Sequence, residues 1–178
     1  ASYNTAVGRS ALMANTTATN GTAVGYAALG ANTTGADNTA VGKSALAQET
    51  TGNYNTAVGH NALTASVAVP GNTAIGRGAL EDLTSGAGHN AACGYNAMMN
   101  CTTGEYNTGM GQGALYTLTT GDWNIGIGRN AVTSAVDVTG ECTLGDGNIS
   151  NLRCDDTSIS TLSDSRDKTN IVDLALGI

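Results

Sequence analysis

A short motif of apolar and polar residues recurs along most of the chain. The pentapeptide Asn-Thr-Ala-Val-Gly, or a close variant of it, recurs every 17 residues, with one step of 18 between the fifth and sixth copies. The nine copies end at Gly8, Gly25, Gly42, Gly59, Gly76, Gly94, Gly111, Gly128 and Gly145. A fixed period is typical of a solenoid, in which each repeat forms one coil that packs on its neighbours.

Alignment of the copies places apolar residues in two columns. The residue before each glycine forms the valine column: Val7, Val24, Val41, Val58, Ile75, Cys93, Met110, Ile127 and Leu144. The fourth residue after each glycine forms the leucine column: Leu12, Leu29, Leu46, Leu63, Leu80, Met98, Leu115, Val132 and Ile149. We expect both columns to line the inside of the coils. Alanine also occupies two columns, one in the motif and one from Ala11 to Ala131, and these are expected to leave flat surfaces that another chain can approach closely.

Each copy predicts a short β-strand followed by a turn. Five residues are too few for a helix, and alternation along a strand places Thr and Val on one face and Asn and Ala on the other. Thr-Thr-Gly segments ending at Gly35, Gly52, Gly104 and Gly121 predict a second turn in the coil. Stacking at about 4.8 Å per coil pairs the backbones of neighbouring coils and makes a rod roughly 40 Å long.

The predicted fold is therefore all-β, an oligomeric β-solenoid of nine stacked coils over residues 1–149. Stacked asparagines are expected to form an amide ladder along the rod. This asparagine column contains Asn4, Asn38, Asn55, Asn72, Asn90, Asn107 and Asn124. Because Ala1 falls inside a repeat, we expect the chain to be a piece of a longer protein.

Composition and charge narrow the class of partner. The 178 residues include 25 Gly, 1 Trp and no Phe, so the core has few large side chains. Lys and Arg number 7 against 14 Asp and Glu, a net charge of −7 without a basic cluster that could neutralise a phosphate backbone or an anionic membrane. The apolar runs are short, so no transmembrane helix is predicted. We expect no nucleic-acid partner, no membrane insertion and, since the period explains every glycine, no phosphate loop or cofactor.

The repeat ends after Gly145. Residues 150–162 are polar with apolar residues at irregular intervals, which indicates a short neck or linker. Residues 163–178 have mixed charge and an apolar end with no core to join. We expect this last segment to be the truncated start of a further domain.

Two parts of the chain resemble known families. The coils resemble the left-handed β-roll head repeats of trimeric autotransporter adhesins and similar repeats in phage tail fibres. The segment Ser-Asp-Ser-Arg-Asp-Lys-Thr-Asn-Ile at residues 163–171 resembles the opening motif of the C-terminal intramolecular chaperone of phage endosialidases, tail spikes and tail fibres. Many members of that family carry Leu where this chain has Asp167, while the Ser and Lys positions are unchanged.

The resemblance to the chaperone implies a homotrimer that cleaves itself once. Ser163 would be the nucleophile, Lys168 the general base, and the cut would fall between Leu162 and Ser163. Burial would have to keep Lys168 neutral before it could accept the serine proton. The alternative is that Ser163 and Lys168 are ordinary polar residues of a linker.

Together the resemblances imply a structural fibre protein of a phage virion, in the tail or the capsid, that mediates attachment to the host. Its partners would be two further copies of the chain, other virion proteins and a host cell-surface glycan or protein, and its location the virion surface. Two alternatives share the coils: the head of a trimeric adhesin on a bacterial surface, and the stem of a glycan-degrading tail spike. The motif at residues 163–171 argues against the adhesin. Apart from self-cleavage, no catalytic pattern predicts an enzyme.

Aromatic residues recur five positions before the coil glycine. This aromatic column contains Tyr3, Tyr54, His89, Tyr106 and Trp123, interrupted by Asn20, Asp37, Gly71 and Gly140. Aromatic faces stack on sugar rings, so the column is a candidate glycan-binding strip. The alternative is that the rings cover the edge of the rod and protect its backbone hydrogen bonds.

Histidines and cysteines indicate neither a metal site nor a disulfide framework. His60 and His89 lie in different columns, away from other residues at ligand spacing, so no metal is predicted. Cys93 occupies the valine column and is expected to be a small buried apolar residue. The environments of Cys101, Cys142 and Cys154 are not predicted, although Cys154 in the neck could meet its copies in a trimer.

Overall fold

The chain folds as a parallel β-solenoid. A computed structural model describes residues 1–85 and 88–150, so the predicted neck and tail lie outside the described residues, apart from residue 150. The nine strands of three residues each are β1 Thr5–Val7, β2 Thr22–Val24, β3 Thr39–Val41, β4 Thr56–Val58, β5 Thr73–Ile75, β6 Ala91–Cys93, β7 Thr108–Met110, β8 Ile125–Ile127 and β9 Cys142–Leu144. Neighbours in sequence are neighbours in the sheet, which confirms the predicted all-β solenoid.

Strand pairing stacks equivalent residues of successive coils. Thr39 pairs with Thr56, and Val41 pairs with Val58. The step of 18 residues leaves this register unchanged, because Thr73 still pairs with Ala91. The aligned columns of the sequence are therefore columns in space.

The two faces of the strands are reversed relative to the sequence prediction. The motif alanines from Ala23 to Ala92 are buried, as are the alanines that precede the leucine column from Ala28 to Ala131. The valine column points outward, with Val7 57 %, Ile75 42 % and Met110 49 % exposed. The prediction that the valine column lines the inside is wrong. The alanines also cannot form flat contact surfaces, because both alanine columns face the interior.

The interior is too narrow for larger residues at the motif alanine. Two of these positions are glycines, and a methyl group added at Gly126 would lie 2.7 Å from Cδ2 of Leu115. A methyl group at Gly109 would lie 2.9 Å from Cγ of Met98. Leucine-column residues thus fill the space directly against the strand, so from β2 to β8 this face carries only Ala or Gly, and a larger residue, Thr143, occurs only in the last strand.

The leucine column forms the core as predicted over most of the rod. Residues Leu29 to Leu115 of this column are fully buried, whereas Val132 and Ile149 near the C-terminal end are exposed. Further buried residues such as Val69, Leu83 and Leu118 close the opposite side of the core. The core is therefore a thin layer of alanine against leucine.

The corner after each strand requires glycine. Gly8 has a φ of 126°, and a methyl group there would lie 2.6 Å from the carbonyl oxygen of Gly25 in the next coil. The residues two and four positions after the coil glycine are in the left-handed region although most are not glycine, for example Ser44 with a φ of 57° and Leu46 with a φ of 50°. Strain of this kind persists only where surrounding contacts fix the backbone, and stacked coils supply those contacts.

The predicted asparagine ladder is confirmed. Oδ1 of Asn55 accepts a hydrogen bond from the backbone N–H of Asn72 at 2.9 Å, and Nδ2 of Asn55 donates to the carbonyl of Val69 at 2.7 Å. Asn38 accepts in the same way from Asn55 N–H at 2.9 Å. These amides satisfy buried backbone groups that would otherwise be unpaired where the chain enters the strand.

A buried carboxylate closes one of the second turns. Oε1 of Glu49 accepts backbone hydrogen bonds from Thr50 at 2.9 Å, Thr51 at 3.1 Å and Gly52 at 2.6 Å. Its Oε2 accepts from the hydroxyl of Ser66 at 2.7 Å. Because both oxygens are engaged, Glu49 has a structural role here.

Adjacent substitutions on β3 test which face is buried. Ala40→Leu should lower the free energy of unfolding by about 1–3 kcal/mol or more, because three carbons must enter a filled interior. Val41→Leu, on the outward face, should cost clearly less than Ala40→Leu, because its one added carbon does not have to enter the coil interior. Denaturant titrations followed by circular dichroism measure both values. A larger loss for Val41→Leu than for Ala40→Leu would contradict this arrangement.

Candidate functional site

The aromatic column lies at the corner that precedes each strand. Its five predicted members share a left-handed backbone: φ is 59° at Tyr3, 62° at Tyr54, 63° at His89, 56° at Tyr106 and 55° at Trp123. Every member of the column is exposed. The coil geometry therefore projects these side chains from one edge of the sheet.

Three of the five rings form a continuous stack. The ring centroids of His89 and Tyr106 are 5.1 Å apart with an interplanar angle of 9°. Those of Tyr106 and Trp123 are 6.3 Å apart with an angle of 20°. Tyr106 therefore lies between two neighbouring rings, closer to His89 than to Trp123, and remains 47 % exposed.

The column does not form one uninterrupted strip. Gly71 separates Tyr54 from the stack, and Asn20 and Asp37 separate Tyr3 from Tyr54 through a mutual side-chain hydrogen bond of 2.9 Å. At the other end, Gly140 follows Trp123 in the column, and a methyl group added to Gly140 would meet nothing within 4 Å. The side of Trp123 that faces away from Tyr106 is therefore open for stacking.

The predicted self-cleavage residues, Ser163 and Lys168, lie outside the described residues. Their assigned roles remain predictions from the sequence motif.

The opposite end of the strands carries a feature that sequence reasoning missed. A surface depression of about 330 Å³, which we name the corner cavity, lies next to the coil corners of β6, β7 and β8. Its lining contains Tyr95, Asn96, Gln112, Gly113, Tyr116 and Asn130. No column predicts it, because it depends on a glycine and a tyrosine that occur together in one coil. The pairing of Gly113 with Tyr116 was the available signal.

Arginines pack on two tyrosines at these corners. The guanidinium carbon of Arg77 lies 5.4 Å from the ring centroid of Tyr95, and Nη1 of Arg77 donates a hydrogen bond to the Tyr95 hydroxyl at 3.0 Å. Arg9 lies 5.8 Å from the ring centroid of Tyr26 in an equivalent arrangement. Both contacts are cation–π pairs between successive coils.

Acidic groups near the C-terminal end of the described solenoid are held by local hydrogen bonds. The Ser134 hydroxyl, which donates to the Glu141 carboxylate, lowers the pKa of that carboxyl group. The backbone N–H of Asn148 does the same for the pKa of Asp146, whose Oδ2 also lies 3.7 Å from Nε of Arg129. Within residues 1–85 and 88–150, no three His, Cys, Asp or Glu side chains are grouped to hold a metal ion.

The cysteines differ from the prediction at Cys93. Cys93 and Cys142 are exposed, and Cys101 is buried. The prediction of a buried Cys93 is wrong because the valine column faces outward. Burial raises the pKa of the Cys101 thiol to about 11.

Comparisons of the chain with models of protein families, with curated proteins and with solved structures found no match. In the part of the chain that the structure describes, no helix has the length and apolar character needed to cross a membrane.

Thiol reactivity should distinguish Cys101 from Cys142. In a variant that keeps only Cys101, a disulfide reagent at pH 8 should leave the folded chain unmodified, since the neutral thiol is a poor nucleophile. A variant that keeps only Cys142 should react at the rate of a free thiol in dilute monomeric solution. Absorbance of the released reagent measures both rates, and guanidinium should make them equal. Equal rates in the folded chains would contradict the burial of Cys101.

Proposed function

We propose that this chain is a segment of a trimeric fibre of a phage virion, located at the virion surface, that helps attach the particle to its host. The observation that carries the proposal is a continuous stack of coils with an uncharged apolar stripe along one face. We assign no substrate turnover to the coils. Other virion proteins are further proposed partners.

The apolar stripe is formed by the exposed valine column. It crosses nine consecutive strands, so at strand spacing its length is about 40 Å. None of the strand residues is charged, although the chain carries a net charge of −7. Contiguous exposed apolar surface of this extent is uncommon on monomers and marks an interaction site.

Further copies of the same chain are the proposed occupants of the stripe. Each coil contributes one valine-column residue to the stripe, and successive residues are one strand spacing apart. Copies of the chain aligned in parallel therefore place equivalent residues opposite one another. The absence of charge on the strands lets acidic chains meet here without burying like charges. The number three comes from the family resemblance of the coils and of the motif at residues 163–171.

In this proposal, attachment to the host depends on many weak contacts repeated along the fibre rather than on one deep binding site. Three parallel solenoids would display each surface feature three times at a fixed distance from the virion. Weak contacts with a repetitive host surface then reinforce one another through effective concentration. This favours a binding role over the stem of an enzyme, whose activity would have to reside elsewhere.

The proposed maturation step removes the segment that begins at Ser163. Its hydroxyl oxygen attacks the carbonyl carbon of Leu162 while neutral Lys168 accepts the hydroxyl proton. The C–N bond then breaks, the Ser163 nitrogen leaves as an amine after protonation, and water hydrolyses the ester. A bacterial adhesin head would not require this cut.

A charge on the stripe should dissociate the proposed trimer. Native mass spectrometry of the full-length gene product should show three copies. Ile75→Asp should raise the concentration at half-dissociation at least about 100-fold, because three unpaired carboxylates would be buried together. The exposed residue Thr34 provides a control, since Thr34→Asp adds the same charge outside the stripe. A monomeric wild type, or equal effects of both substitutions, would contradict the proposal.

Substitution of the proposed nucleophile should prevent processing. Denatured intact mass of the full-length gene product should show a chain ending at Leu162, whereas Ser163→Ala should leave it uncut. Ser165→Ala is the matched control and should be processed as the wild type is. An uncut wild type, or loss of cleavage in both variants, would remove the assignment of Ser163.

A further inference from the structure

The corner cavity exists because of one local exception in the coil pattern. Gly78 and Gly113 occupy the same column, two residues after the coil glycine. Beside Gly78 the space is filled, because Glu81 extends there and accepts a hydrogen bond from Nδ2 of Asn61 at 2.8 Å. Beside Gly113 the equivalent residue is Tyr116.

The backbone conformation at position 113 does not require glycine. Gly113 has a φ of 63°, but Ser44 in the same column has 57° and Asn130 has 50°. A methyl group at Gly113 would lie 2.6 Å from Oδ1 of Asn130 and would occupy the cavity. The glycine therefore leaves room beside an amide rather than satisfying a conformational need.

Two aromatic rings border the cavity, and one is fixed in place. Arg77 packs on Tyr95 from the preceding coil, whereas the rest of the cavity lining belongs to the same and later coils. The ring of Tyr95 is thus held from one side and borders open space on the other. Tyr116 and the apolar side chain of Val132 complete the aromatic and apolar part of the lining.

The polar part of the lining consists of neutral amides. Asn96, Gln112 and Asn130 each provide both donors and acceptors, and no charged residue lines the cavity. Oδ1 of Asn130 lies on the Gly113 side of the cavity, whereas Oδ1 of Asn96 is buried against Gly78 and leaves the Asn96 Nδ2 group as the donor on the cavity side. Anionic ligands such as phosphates are normally held by cationic side chains, which this lining lacks.

The geometry points to the corner cavity as a binding site for a neutral saccharide. The C–H face of a sugar ring stacks on aromatic rings, and its hydroxyl groups exchange hydrogen bonds with amides. A volume of about 330 Å³ suits a small part of a longer glycan. The site would supply the host-glycan contact of the proposed attachment function, and only its biological use rests on that function.

Binding is tested with the full 178-residue chain on an array of neutral oligosaccharides of hexoses and N-acetylhexosamines. The strongest array binder is then titrated by calorimetry against four variants. Tyr95→Ala and Tyr116→Ala should each weaken binding at least about tenfold by removing a ring face. Gly113→Ser should also weaken binding at least about tenfold, because the serine side chain would occupy the cavity. Ser44, in the same column, shows that serine is compatible with this backbone.

Tyr26→Ala is the matched control. Tyr26 lies in the same column as Tyr95 and is also covered by an arginine, but it is outside the corner cavity. The Tyr26→Ala variant should bind the saccharide as the wild type does. Circular dichroism verifies that all variants are folded. Absence of binding on the array, or equal losses for Tyr26→Ala and Tyr95→Ala, would overturn the proposal.

A further variant separates the cavity from the aromatic stack. If Trp123→Ala abolishes binding and Tyr95→Ala does not, the saccharide binds at the stack and the cavity proposal is wrong. Because the titration is independent of oligomeric state, a monomeric chain that binds saccharide would contradict the trimer alone. A trimer that binds no saccharide would contradict the cavity alone.

Discussion

Backbone hydrogen bonds between successive coils are the interaction on which the rest of the structure depends. They recur on several sides of the coil, for example from Thr39 N–H to Asn55 O at 2.8 Å and from Leu46 N–H to Ala62 O at 3.0 Å. Every coil is thereby held at one strand spacing from the next, so each side chain meets its own column above and below. The stripe, the asparagine ladder and the aromatic stack are consequences of this single spacing.

The sequence predicted the positions of the repeated elements better than it predicted which face of each strand is buried. The period placed the strands, and recurring Asn and Leu predicted the ladder and most of the core. Alternation separated Ala40 from Val41 but could not say which faced inward, and assigning the larger residue to the core gave the wrong answer. The drift of the motif alanine to Gly109 and Gly126 was a sign that the interior is narrow, and only the last copy, at the end of the coils, carries a larger residue, Thr143.

The candidate surfaces were predictable only where columns are regular. The aromatic column was found because its members repeat, yet its division at Gly71 depends on single residues. The corner cavity is formed by departures from the columns, so averaging over repeats conceals it. In the solenoid these surfaces lie at opposite ends of the strands, on either side of the apolar stripe. Association through the stripe and contact through the corners would therefore use different residues.

The outward corners have a consequence for how such a chain can evolve. At the corner before the strand, the same left-handed backbone carries Tyr54, Asp37 and His89. Neighbouring coils, rather than the identity of the corner residue, set that conformation. A substitution at this corner therefore changes the chemistry of one level of the rod while the alanine and leucine layers beneath it remain intact. The chemistry of the rod's surface can therefore change one coil at a time with little effect on its folding.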